Sequence, residues 1–212
     1  CRPDLCLLEG AQEEEEDEFV LIEDKEHESE EEEESFQRHR NSGEDWEVRG
    51  IYKLQTSSCY LCKELPPRTV GHTWKLTYST SRHGSSLKSL YRKVSTSDSP
   101  AVIVIKDALD EVFGAFLSHP LRPSEVFYGT GETFLFMLHP RFKCFRWTGE
   151  NSFFIKGDLD SFAIGGGSGH FGLWVDENLY LGRSSPCYTF NNCCLSETDD
   201  FRIMELEVWT FG

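Results

Sequence analysis

Residues 101–117 read AVIVIKDALDEVFGAFL, and this stretch decides the fold. Ala101 to Ile105 is an unbroken apolar run bounded by Pro100 and Asp107. A run this short, rich in Val and Ile, predicts a strand buried on both faces. An Asp/Leu/Asp turn follows, and Val112 to Leu117 predicts the returning strand of a hairpin. Outward from this hairpin the same signal recurs. Trp74, Leu76 and Tyr78 alternate with polar residues, as in a half-buried strand. Phe134 to Leu138 and Phe142 to Trp147 predict a second hairpin across His139-Pro140. Phe153 to Ile155, Phe162 to Ile164, Phe171 to Val175 and Leu179 to Leu181 continue the series. Near the end, Met204, Leu206 and Val208 alternate with Glu205 and Glu207. Short strands at regular spacing with Gly-rich turns predict a mainly β protein, an antiparallel sandwich.

Two short α-helices interrupt the pattern. Leu87, Leu90, Tyr91 and Val94 form one apolar stripe and predict a helix over 86–94, with Ser85 as its N-cap. Arg92 and Lys93 suit the negative end of its dipole. Residues 55–64 carry a weaker helical pattern that stops before Pro66-Pro67.

Charge divides the chain differently. Residues 1–50 hold 20 acidic against 5 basic side chains, a net of −15, whereas residues 51–212 hold 17 against 16. Blocks such as 13–18 and 30–34 repel and stay hydrated, with only Phe19 to Ile22 as an apolar cluster, so residues 1–50 are expected to be disordered. The fold is assigned to residues 51–212. A net charge of −16 argues against nucleic acid as a partner. No run approaches the roughly 20 apolar residues that span a bilayer, so no membrane insertion is expected. The sequence begins at Cys1, so targeting is not read from that end. Eight cysteines are scattered without a regular framework, which favours reduced thiols in the cytosol.

The candidate chemistry is thin. Cys59-x-x-Cys62 lacks the second pair that a zinc site needs. Gly165-Gly166-Gly167-Ser168-Gly169 lacks the Gly-Lys-Ser/Thr of a phosphate loop and leads a strand, so it reads as a turn. Glu132 precedes an apolar strand and is expected to be partly buried, as a general base or as a pin for the Gly-rich turn. The histidines show no metal spacing, and no cofactor or metal is expected. Cys59, Cys62, Cys193 and Cys194 are the candidates for a thiol-based antioxidant, the alternative to a binding module.

At YGTGETFLF (128–136) and GGGSGHFGLWVDENLYLGRSSPCYTFNN (165–192) the chain resembles the TLDc domain, the module of the oxidation-resistance proteins. SRHGSSLKSLYRK (81–93), FGAF (113–116), FRWTGENSFFIKGD (145–158) and LEVWTF (206–211) extend the resemblance from Leu65 to Phe211. It implies a two-sheet antiparallel β-sandwich with two helices and a role in resistance to oxidative stress, with no catalytic mechanism. It also implies binding to subunits of the vacuolar proton-pumping ATPase (V-ATPase). Such a module is expected to be a cytoplasmic monomer, recruited peripherally to endolysosomal membranes. The family's functional pattern falls on Gly84, Ser86, Gly114, Glu132 and Gly166. On physical grounds Lys88 and Arg92, four residues apart, share the helix face opposite the apolar stripe and form a candidate contact.

Overall fold

The computed structural model describes residues 60–212. The acidic leader, Cys59 and the first part of the expected 55–64 helix lie outside the described residues; residues 60–64 are helical. After a 3₁₀ turn at Pro67–Thr69 come β1 (Trp74–Ser79), α1 (Thr80–His83), α2 (Leu87–Val94), β2 (Ala101–Asp107), β3 (Val112–Leu117), β4 (Phe134–His139) and β5 (Lys143–Phe145). They are followed by β6 (Ile155–Gly157), β7 (Ser161–Ile164), β8 (Leu173–Asp176), β9 (Leu181–Arg183) and β10 (Asp200–Phe211).

The strand order is β5-β4-β3-β2-β10-β9-β8-β7-β6, with β1 also pairing β10, and every pairing is antiparallel. One long strand therefore belongs to two sheets. Residues 200–202 of β10 pair with β9, while residues 207–211 pair with β1 and residues 203–210 with β2. The two sheets close on a shared core. Ile103, Ile105, Phe113 and Leu135 of one meet Phe162, Ile164, Leu173 and Val175 of the other. This is the sandwich and the mainly β class that the hairpin spacing predicts.

The central hairpin has two buried faces, as its continuous apolar run requires. Ala101, Ile103 and Ile105 enter the inter-sheet core. Val102 and Val104 enter a second cluster on the outer face, with Phe116, Phe134, Phe136, Trp209 and Phe211, under Leu61 of the N-terminal helical turn. Burying one such side chain contributes about 1.5–3 kcal/mol.

Two bulges alter what simple alternation predicts. Between Ile203 and Glu205, β10 spends two residues against one step of β2. The extra residue flips the side-chain parity. Phe201, Ile203, Leu206 and Val208 therefore all point into the inter-sheet core, and Met204 is left 64% exposed. In β1 a shift between Leu76 and Tyr78 acts the same way. Trp74 and Leu76 pack on the outer cluster, and Tyr78 turns into the inter-sheet core opposite Val208. The expectation of one face for Trp74, Leu76 and Tyr78, and of an inward Met204, is corrected accordingly. The predicted strand over 142–147 shortens to Lys143–Phe145.

α2 closes one end of the sandwich through Leu87, Leu90, Tyr91 and Val94, all buried. Its N-cap is Ser86, whose hydroxyl accepts from the Ser89 N–H at 3.4 Å, and not Ser85. The helix is also tied to distant turns. The Leu87 N–H donates to the Glu177 carbonyl at 2.9 Å, and the Tyr91 hydroxyl donates to the Asp158 carbonyl at 2.8 Å.

The β10 bulge makes an asymmetric prediction. Leu206→Ala should cost about 2–5 kcal/mol, whereas Met204→Ser should stay within about 0.5 kcal/mol of wild type. Urea unfolding of both variants checks it; equal losses would place Met204 in the core.

Candidate functional site

The expected site residues fall into four separate places. Gly84, Ser86, Lys88 and Arg92 belong to the α1–α2 corner, Gly114 to β3, and Glu132 and Gly166 to loops. Among the described residues no hydrogen bond or ion pair joins the four places.

The corner is organised by a side chain that the sequence reading overlooked. Tyr78 is fully buried, and its hydroxyl donates to the Gly84 carbonyl while the Ser86 N–H approaches it at 3.3 Å. Burial pushes its phenol above the ordinary tyrosine range, so it stays a neutral donor. Gly84 carries φ +79 and ψ 167 at the C-terminus of α1, a conformation restricted to glycine. The clasp and the glycine together set the angle at which α2 leaves α1. Lys88 and Arg92 then project from the exposed face, and neither makes an ion pair among the described residues.

Gly114 is enclosed. A Cβ there would lie 1.9 Å from the Ile103 carbonyl oxygen and 3.2 Å from the Phe136 ring. Gly166 is buried in the β7–β8 loop. Its N–H donates to the Thr189 hydroxyl at 2.9 Å and its carbonyl accepts from the same hydroxyl at 3.0 Å. A Cβ would meet Phe153 at 3.2 Å. With its N–H already bonded inward, this glycine offers no cradle to a phosphate.

Glu132 is exposed, not partly buried. Its Oε2 accepts from Arg68 Nε at 2.8 Å and Nη2 at 2.6 Å, and the same guanidinium donates to the Ser118 carbonyl at 2.9 Å. The pair fastens the N-terminal turn to the β3–β4 loop. The Gly-rich turn itself is pinned by Ser118, whose hydroxyl accepts from the Thr130 N–H at 2.9 Å. No histidine contacts Glu132 among its hydrogen bonds, so the general-base reading has no partner to work with.

The thiols are similarly placed. Burial pushes Cys144 up to about 12, with Glu64 adding to the shift and Arg146 opposing it. Burial also raises Cys187, and it raises Cys194 with a further contribution from Asp199. Such thiols are poor nucleophiles near neutrality. Cys62 and Cys193 are exposed.

A cleft of about 500 Å³ lies beside the Gly-rich loop, lined by His170, Phe171, Trp174, Leu181, Arg183 and Asp200 among others. Arg183 and Asp200 pair with each other, with Nη2 to Oδ2 at 3.1 Å, and so offer no net charge to a ligand. Among the described residues no group of three or more His, Cys, Asp or Glu is arranged to hold a metal ion. No described helix is long and apolar enough to cross a membrane.

These features define a β-sandwich domain whose special residues serve its corners and loops and whose helix α2 carries three exposed cations. The sequence profile of the TLDc domain matches residues 54–212, and the chain belongs to that family. It is 56% identical to oxidation resistance protein 1 of Xenopus tropicalis over 151 residues, which is 71% of this chain and 17% of that protein. It is 55% identical to nuclear receptor coactivator 7 of Mus musculus over the same length, 16% of that protein. Oxidation resistance protein 1 of Homo sapiens is 56% identical over 151 residues, 71% of this chain and 17% of the relative. The chain thus matches only a small part of each relative's length.

Gly114→Ala should destabilise by more than about 3 kcal/mol or prevent folding, because backbone cannot retreat from the new methyl group. Glu132→Gln should cost under about 1 kcal/mol, as befits a half-exposed ion pair. Denaturant titration separates the two, and a large loss at Glu132 would give it a role beyond pairing. A second outcome concerns thiols. With iodoacetamide at neutral to mildly alkaline pH, Cys62 and Cys193 should label first and Cys144 and Cys187 last. Mass spectrometry of the peptides checks the order, and rapid labelling of Cys144 would contradict its raised titration range.

Proposed function

We propose that this domain is a non-enzymatic interaction module that serves resistance to oxidative stress by binding and regulating V-ATPase. The observation that carries this reading is the α1–α2 corner. A helix anchored by four buried side chains and clasped by Tyr78 holds two exposed cations, Lys88 and Arg92, without ion pairs among the described residues, at a fixed angle on the surface. Such preorganisation lowers the entropic cost of docking. The relatives named oxidation resistance protein support the stress-related role. The family resemblance supports the pump as partner and a monomer acting from the cytoplasm at endolysosomal membranes. Glu132 is engaged by Arg68, and three of the described thiols are pushed away from reactivity, so chemistry at either is the weaker reading.

The test is capture of V-ATPase subunits by the purified chain. Lys88→Glu with Arg92→Glu should reduce capture by about tenfold while leaving thermal stability unchanged, because both side chains are exposed. Undiminished capture would remove this face from the interface. Multiple turnover of any substrate, abolished by one substitution, would overturn the non-enzymatic reading.

A further inference from the structure

Charge within the folded part of the chain is sorted rather than mixed. From Leu65 to Ser97 there is no Asp or Glu, while Arg68, Lys75, Arg82, Lys88, Arg92 and Lys93 all fall there. The rest of residues 51–212 holds all 17 acidic side chains of that part against 10 basic ones. Four of the six cations belong to α1 and α2, and all four are exposed.

The two helices bring these charges together. The His83 imidazole is held below its usual range by burial first, then by Lys93, and to a lesser degree by Arg82. Lys93 of α2 and Arg82 of α1 therefore act on one ring. That ring is itself fixed: its Nδ1 accepts from the Ser79 N–H at 3.0 Å, and it stacks on Tyr78 with centroids 5.4 Å apart. Acidic residues border the two helices: Asp158 and Asp160 act on the Tyr91 hydroxyl, and the Glu177 carbonyl accepts from the Leu87 N–H at the start of α2. Glu207 of β10 lies within the field of Arg82, and Glu205 accepts from Ser81 at 2.7 Å. Lys88, Arg92 and Lys93 make no ion pair among the described residues.

We propose that α2, with the C-terminal end of α1, is a docking face for an acidic segment of a partner protein. This deepens the interaction-module reading and rests on it. Arg92 can grip a carboxylate through two parallel N–H bonds, with Lys88 and Lys93 as point charges on either side. The alternative surface for such a patch is an anionic bilayer, and two observations favour the peptide. No large apolar side chain of α1 or α2 is exposed, so neither helix itself offers a group to hydrocarbon. A bilayer is an extended anionic plane that meets the whole chain, whose net charge is −16. A short acidic segment senses only charges within about a Debye length, roughly 8 Å at physiological salt, and the exposed side chains of α2 place Lys88, Arg92 and Lys93 there.

The experiment titrates the full chain against a short fluorescein-labelled Glu-rich peptide, read by anisotropy. In parallel the chain is sedimented with phosphatidylcholine vesicles containing phosphatidylserine. Peptide binding is expected, weakening by about tenfold or more as salt rises from about 50 mM to about 300 mM. The triple variant Lys88→Glu, Arg92→Glu, Lys93→Glu should lose about tenfold in affinity, whereas Lys143→Glu on β5 should lose less than about twofold. Circular dichroism confirms that the variants fold. Equal loss with Lys143→Glu, no dependence on the α2 cations, or sedimentation with vesicles in place of peptide binding would overturn the proposal. The pump experiment keeps the two readings apart. Peptide binding through α2 without pump capture would sink the pump as partner and leave this face intact. Pump capture unaffected by the triple variant, with no peptide binding, would sink the docking face alone.

Discussion

Twelve consecutive residues of β10 divide their backbone hydrogen bonds among β9, β2 and β1. A strand in an ordinary sandwich serves one sheet. Here the same strand feeds both, and the bulge between Ile203 and Glu205 is what makes that feasible. Without the extra residue, Phe201 and Ile203 could not share a face with Leu206 and Val208. With it, one apolar row of β10 lines the inter-sheet core along its length, while Trp209 and Phe211 line the outer cluster. β10 also anchors α1 just past the end of β1, where Ser79 pairs with Glu207. The Leu206 N–H donates to the Thr80 hydroxyl at 3.1 Å instead of to a strand. The position of α1, and through Tyr78 that of α2, is thus tied to the last strand.

The glycines follow from the same crowding. Gly114 lies on the central hairpin, where both faces are filled and the Ile103 carbonyl leaves no room for a methyl group. Gly166 lies where Phe127, Phe153 and Thr189 converge on the loop between β7 and β8. Substituting either damages the scaffold before any partner is met. A loss of function at these two positions would therefore report on folding, and it could not by itself locate an interface.

The hairpin at 101–117 was legible because Val and Ile in an unbroken run satisfy only a strand covered on both sides. α2 was legible because its apolar stripe repeats at helical spacing. The bulges were not legible. Ile203 and Met204 are both apolar, and parity along β10 is decided by β2, about a hundred residues earlier. The cap was ambiguous for a related reason. Ser85 and Ser86 are equivalent in composition, and the choice between them depends on how Tyr78 holds the intervening loop. Glu132 was read as partly buried because an apolar strand follows it. Its partner Arg68 stands 64 residues away and draws the carboxylate outward. Lys88 and Arg92 were found because periodicity places them on one face, but the convergence of Lys93 with Arg82 around His83 depends on the turn between α1 and α2.

A functional surface in such a domain is best sought among side chains that the fold does not use. Tyr78, Gly84 and Ser86 hold the corner, Gly114 and Gly166 admit close packing, and Glu132 fastens a loop. Each has an internal task that accounts for its identity. The cations of α2 have none: they neither pack nor pair among the described residues, and the apolar stripe would hold the helix equally well with neutral polar residues in their place. Arg92 and Lys93 do suit the helix dipole, but that is worth only about 0.3–1 kcal/mol each at the surface, and Lys88 in the first turn opposes it. A lysine placed against the dipole, in a 33-residue stretch free of acidic residues, is poorly explained by stability. The docking face proposed for this helix accounts for it.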